Sequence, residues 1–161
     1  MSPDDLCAVM VRDLRALARE VSAYPTDAAL WQEMPGIANS GGTLALHLAG
    51  NVRHFLGAVL GGSAYVRDRE REFGARGIAR AEVVAELEHA IFEAERVIPA
   101  ISAATLAAPF PVELAGRRLP TARFLMHPCA HLAYHLGQVD YHRRIVAPSS
   151  GTAGTMSLTE L

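Results

Sequence analysis

A short segment near the end of the chain contains the residues best suited to chemistry. His131 and His135 lie four positions apart in the run His-Leu-Ala-Tyr-His-Leu-Gly-Gln. On a helix this spacing places two side chains about 40° apart around the axis, so both rings point in the same direction. Two imidazoles arranged in this way can bind one cation. The same spacing also arises by chance among surface histidines, so the pair alone leaves both interpretations open.

Further histidines lie on the same helical faces as other residues expected to face the core. His47 shares a sector of its segment with Asn51 and His54. The corresponding sector of the last segment contains Phe124, His127, His131, His135, Gln138 and His142. An unpaired polar group in a core costs roughly 1–3 kcal/mol, so such residues must form hydrogen bonds or bind a ligand. The pattern favours a cation held between two facing helices.

Other polar residues near these histidines are less suitable as metal ligands. His54 lies about 10 Å along the helix axis from His47, too far to share one ion with it. His127 precedes a proline, which disfavours helical backbone at that position. Cys129 points about 160° away from His131 on a regular helix and is rejected as a ligand. A capped or half-buried histidine is the simpler interpretation of His54.

Two amides lie one helical turn from the candidate ligands. Asn51 follows His47, and Gln138 follows His135. We expect each to hydrogen-bond a ligand or to orient a substrate, with an interhelical hydrogen bond as the alternative. The aromatic residues Trp31, Tyr134 and Tyr141 are interpreted as core packing, with pocket lining as the alternative.

Four periodic segments must position these side chains. Apolar residues recur at helical spacing in residues 3–22, 43–60, 81–98 and 121–146, and Gly and Pro punctuate the segments between them. The pattern predicts an all-α, up-down four-helix bundle with a long connection between the second and third helices. That connection includes the run 67–71, in which arginines alternate with acids; this alternation is typical of a solvated, salt-bridged surface.

Composition narrows the classes of function. The chain has 161 residues, of which 50% are hydrophobic, and a formal net charge of -2. We expect one domain over residues 1–147, with residues 148–161 as a tail that is mobile or strapped across a partner. The charge gives no reason to expect nucleic acid or an anionic membrane as a partner. The absence of lysine excludes a Schiff-base mechanism.

Location and assembly follow from the same features. No run of about 18 apolar residues is present, and the N-terminus lacks the basic start of a signal peptide, so a cytoplasmic location is expected. Two cysteines cannot define a disulfide framework. The extensive apolar helical surface predicts a homodimer.

The motifs together resemble the DinB/YfiT-like superfamily of four-helix metal-binding proteins. Residues 131–138 and 141–144 are similar to its C-terminal His-x-x-x-His-x-Gly-Gln signature, and residues 46–55 and 61–70 resemble its second-helix segment and the continuation of that segment. The resemblance covers about residues 3–147. It implies a divalent metal, Zn or Ni, bound by His47, His131 and His135. Three neutral ligands would leave coordination positions open to water or a small-molecule substrate.

The resemblance also limits the function to three alternatives. Some relatives transfer low-molecular-weight thiols such as mycothiol or bacillithiol, so a metal-dependent thiol S-transferase is favoured, in which the cation promotes loss of the thiol proton. A metal-dependent hydrolase that uses bound hydroxide would need the same residues. A non-enzymatic metal-binding or stress-response protein is the third alternative.

Overall fold

The computed structural model is all-helical over the part of the chain that it describes, which comprises residues 2–113, 116–148, 151, 153 and 157–161. Helix accounts for 70% of the residues, and no strand occurs in these ranges. The seven α-helices of the described residues are α1 (Pro3–Ser22), α2 (Asp27–Leu30), α3 (Gly41–Val52), α4 (Arg69–Gly74), α5 (Arg80–Val97), α6 (Ala103–Ala107) and α7 (Thr121–Val146). The expectation of an all-α protein is therefore confirmed.

Local sequence signals explain where α1 begins. The Ser2 hydroxyl accepts a hydrogen bond from the Asp5 N–H at 3.1 Å, while the Asp5 carboxylate accepts one from the Ser2 N–H at 2.8 Å. This capping box, with Pro3 in the first turn, satisfies donors that the helix leaves free. Along the helix, the apolar stripe is buried in the core and includes Leu6, Met10, Leu14, Leu17 and Val21.

The second long helix changes its geometry partway along. It begins at Gly41, two residues before the expected start, because Ser40 caps it and accepts a hydrogen bond from the Thr43 N–H. After Val52 it continues as a π-helical segment, Arg53–Leu60, which Gly61 follows as the C-cap residue. The expected end at residue 60 is confirmed. Sequence periodicity gave no indication of the π-helical geometry, in which hydrogen bonds span five residues instead of four.

The four long helices pack around a common apolar core. Helix α1 packs against α5 and α7, and α3 packs against the same two helices. Contacts between α1 and α3 are fewer, so the first two long helices are not principal neighbours, whereas the second and third, α3 and α5, pack closely together. This arrangement brings α3 against α7, the two helices that contain the candidate ligands.

Short helices occupy connections that we interpreted as loops. Helix α2 lies in the connection after α1, and α4 lies between the second and third long helices. Both have a side-chain cap: Thr26 accepts from the Ala29 N–H, and Asp68 accepts from the Arg71 N–H. At four and six residues, they are too short to show a helical period. Helix α4 packs on α3, and this contact matters for the site.

The described residues of the expected tail contact the rest of the chain. The Arg19 guanidinium pairs with the Glu160 carboxylate at 3.0 Å, and Arg143 Nη1 donates to the Gly151 carbonyl at 3.0 Å. Among the residues described, no helix combines the length and apolarity needed to cross a membrane.

Candidate metal centre

Three histidines from two helices meet in one place. His47 comes from α3, and His131 and His135 come from α7; each offers a ligand atom, and these atoms lie within 4.8 Å of one another. The Nε2 atoms of His47 and His131 are 3.3 Å apart. The His135 ring lies 4.5 Å from that of His131 and 5.7 Å from that of His47, centroid to centroid. The structure thus brings together the three residues that the sequence analysis singled out as ligands.

A buried carboxylate fixes the orientation of His47. The His47 Nδ1 lies 3.0 Å from Glu72 Oε2, and both side chains are buried. Arg67 holds the same carboxylate through both oxygens, with Nε 2.7 Å from Oε1 and Nη2 2.8 Å from Oε2. Burial opposes ionisation of Glu72, but the hydrogen bonds from Arg67 and His47 and the charge of Arg67 outweigh it, so its pKa lies below the usual value.

The ionised carboxylate sets the tautomer of His47. Arg67 Nη2 also approaches His47 Nδ1, at 3.3 Å, but the Glu72 oxygen is closer and can only accept. The Nδ1 therefore carries the proton and donates it to Glu72. This leaves the Nε2 lone pair of His47 directed at the other two histidines, the arrangement found in carboxylate–histidine–metal sites.

The two candidate ligands of α7, His131 and His135, have different surroundings. His135 Nδ1 donates to the Gln138 side-chain oxygen at 2.6 Å, which leaves Nε2 free of the proton. Burial and the neighbouring histidines lower the pKa of His131 to about 4, so it is neutral near pH 7. Three imidazoles that converge are a donor set suited to a divalent metal, and the residues present fit such an ion.

Gly50 makes room for the carboxylate. A Cβ atom at this position of α3 would lie 2.2 Å from Glu72 Oε1 and 2.8 Å from Glu72 Cδ. Only a residue without a side chain lets α4 bring Glu72 so close to the backbone of α3.

We expect Gly50→Ala to weaken metal binding while preserving the fold. The added methyl group would displace the Glu72 carboxylate, although Ala favours a helix by about 1 kcal/mol relative to Gly. The measurement is Zn²⁺ affinity by competition with a chromophoric chelator, alongside thermal unfolding of the apo protein. Gly137→Ala on α7, where an added Cβ meets nothing within 4 Å, is the control. Equal metal affinity in the two variants would contradict this role for Gly50.

The remaining candidate residues lie outside the group of three converging histidines. Asn51 is half-buried on α3, and its side chain makes no hydrogen bond to any described residue, so its role stays a prediction. His54 is half-buried in the π-helical segment beside Phe55, and burial followed by the charge of Arg67 lowers its pKa. The group of converging ligand atoms does not include it. His127 stacks on His131 with ring centroids 5.7 Å apart.

The interpretation of the run 67–71 as solvated surface holds for residues 68–71, which are exposed, but not for its first residue. The Arg67 side chain is 13% exposed, and its carboxylate partner Glu72, just beyond the run, is 5% exposed. Alternating charge could not show this, since the burial comes from packing of α4 on α3. Tyr134 and Tyr141 are not core aromatics either, being 64% and 71% exposed. Trp31 is buried as expected.

A cavity of about 300 Å³ lies beside the histidines, between α3, α7 and residues 36–39. Gln138, which accepts the hydrogen bond from His135, is part of its wall, and so is Leu44, one helical turn before His47. No local pattern in the sequence indicated this cavity.

Comparison with known proteins gives a match over almost the whole chain. Residues 5–148 match the family model described as Mycothiol-S-transferase. A search of the curated proteins gave no significant match. The family match includes every residue of the three-histidine group together with Arg67 and Glu72.

Proposed function

This chain belongs to the mycothiol-S-transferase family, a DinB/YfiT-like family, and from that premise we propose that it is a metal-dependent transferase. It would join a low-molecular-weight thiol of the mycothiol class to a small electrophile. The observation that carries the proposal is the convergence of His47, His131 and His135, whose ligand atoms lie within 4.8 Å of one another.

The residues of the site have distinct tasks in this proposal. His47, His131 and His135 would hold a divalent cation, Zn or Ni. A bound divalent cation lowers the pKa of a thiol and so makes it a nucleophile near neutral pH. Glu72 orients His47, and Gln138 orients His135. In the overall transfer the thiol proton goes to solvent, the sulfur forms a bond to the electrophilic carbon, and the leaving group departs with its electron pair.

The chain's own cysteines support an external thiol. Burial raises the pKa of Cys129 to about 11, and burial followed by Glu95 raises that of Cys7. Both thiols are therefore protonated near pH 7 and poorly nucleophilic. They are the only two cysteines of the sequence, so the reacting sulfur must come from a cosubstrate.

We expect metal-loaded protein to conjugate mycothiol with monochlorobimane. The C–S bond forms as chloride leaves, and the conjugate is read by fluorescence. Bacillithiol and glutathione are tested in parallel, and the His131→Ala variant should lose turnover. Metal-dependent hydrolysis of an activated ester without thiol turnover would favour a hydrolase instead. If neither assay showed turnover while the protein bound metal tightly, a non-enzymatic metal-binding protein would be favoured.

We also propose a four-helix bundle as the architecture, supported by the packing of α1 and α3 on both α5 and α7. In this bundle, α1 and α3 would lie on one diagonal and α5 and α7 on the other, and the connections that contain α2 and α6 would cross these diagonals. A strictly alternating up-down order does not fit the structure, because α3 and α7, the second and fourth long helices, run antiparallel: Phe55 lies against Phe124 and His47 against His131. The single domain over residues 1–147 and the homodimer stay predictions. A cytoplasmic location is part of the same proposal, and a small-molecule substrate suits a transferase of this family.

A further inference from the structure

The cavity beside the histidines is linked to the site by one residue, Gln138. Gln138 forms part of its wall and also accepts the hydrogen bond from His135. Leu44 lies on α3 one turn from His47, and Tyr141 lies on α7 one turn beyond Gln138. Because α3 and α7 run antiparallel here, the cavity lies one turn along from the histidines, between the same two helices.

The wall of this cavity is predominantly apolar. Leu44 is buried within it, while Ile37, Tyr141 and Ile145 line it with exposed fractions of 40%, 71% and 46%. Large apolar side chains this exposed, gathered around one cavity, are typical of a ligand pocket. The volume of about 300 Å³ lies at the lower end of the range for small-molecule sites.

The polar groups of the cavity are few and partly engaged. Among the described residues no Asp, Glu or Arg lines it. His142 contributes its ring, but its Nδ1 lies 2.7 Å from the Tyr24 hydroxyl and its Nε2 lies 2.8 Å from the Gln32 carbonyl. Gln138 accepts from His135 through its side-chain oxygen, so its NH2 group, the Asn39 amide and the Tyr141 hydroxyl are the main groups left. A strongly polar thiol cosubstrate would lose hydrogen bonds to water here without replacing them.

We propose that this cavity binds the apolar, uncharged body of the electrophile and holds its reactive carbon beside the three histidines. The inference rests on the proposed transferase function and adds its second substrate. It assigns to Ile145 and Tyr141, which both lie on α7, the apolar contacts to that body.

The test separates ligand binding from catalysis. An unreactive bimane that lacks the chlorine is titrated into metal-loaded protein and followed by fluorescence, and KM is measured for monochlorobimane and for mycothiol. Ile145→Asn should weaken bimane binding and raise KM for monochlorobimane by about five- to tenfold, because a half-buried apolar contact is lost. Metal content and KM for the thiol should not change. Phe92→Asn, which alters an exposed apolar residue on α5 outside the cavity, should match the parent protein.

Each other outcome has a defined meaning. Equal bimane binding by all variants, or no binding by the parent protein, would overturn the assignment. If Ile145→Asn raised the KM for the thiol and left bimane binding unchanged, the cavity would bind the thiol instead, and the assignment would also be overturned. Absence of turnover with bimane binding still dependent on Ile145 would refute thiol transfer while supporting an apolar ligand site.

Discussion

Replacing His131 or His135 with alanine should abolish stoichiometric binding of divalent metal. Each variant leaves only two of the three converging imidazoles, and two neutral ligands hold an ion far less tightly than three. The loss should exceed the roughly 10–100-fold that follows from removing a residue behind a ligand. The measurement is metal content by mass spectrometry after chelation and reloading with Zn²⁺ or Ni²⁺, on protein purified without nickel resin.

His54→Ala is the matched control for these variants. His54 is a half-buried histidine of the same long helix as His47, but its ring is not part of the converging group. It should therefore retain metal at the level of the parent protein, with the same helical circular dichroism. Full metal occupancy in the His135→Ala protein would refute the site, and loss of metal in His54→Ala would show that the ligand set is wrong.

Helical periodicity was sufficient to pair His131 with His135 because the relevant geometry is local. The four-residue spacing of His131 and His135 places both on one side of α7 in any regular helix. Joining them to His47 required one further step, that the polar sectors of two amphipathic helices face each other. The structure meets that condition, since α3 packs against α7.

The two residues that orient His47, Glu72 and Arg67, could not be found from helical periodicity. Glu72 and Arg67 lie in a run of alternating charges, and nothing in that run distinguishes a buried residue from a solvated one. Their burial depends on a contact distant in sequence, the close approach of α4 to α3 at Gly50. Short helices such as α4 have too few residues for a period, so their position is decided by packing rather than by local pattern.

Helical periodicity could not predict the cavity either. Tyr141 was expected to pack in the core, with pocket lining as the alternative, and it is exposed at the cavity together with Ile145. Periodicity shows which side of a helix is apolar, but it does not show whether a neighbouring segment covers that side. Here residues 36–39 lie beside α7 without filling the space between the helices.

Glu72→Gln should lower metal affinity by about 10–100-fold, the range typical for residues that orient a metal-binding histidine. The neutral amide cannot strengthen the basicity of His47 as the carboxylate does. The measurement is Zn²⁺ affinity by chelator competition at pH 7. Glu70→Gln is the control, because Glu70 is an exposed acid on the same short helix. Affinity in Glu72→Gln within twofold of that control would contradict the role of Glu72.

A double variant distinguishes the loss of His47 orientation from a loss of protein stability. Glu72→Gln alone leaves the nearly buried Arg67 guanidinium without its carboxylate, and breaking one side of a buried pair costs about 3–5 kcal/mol. Adding Arg67→Met removes the unpaired charge, so thermal stability should recover towards that of the parent protein. Metal affinity should stay low, because His47 Nδ1 still lacks its carboxylate partner. If affinity returned together with stability, Glu72 would act only through the packing of α4 on α3, and its part in preparing His47 for a metal would be refuted.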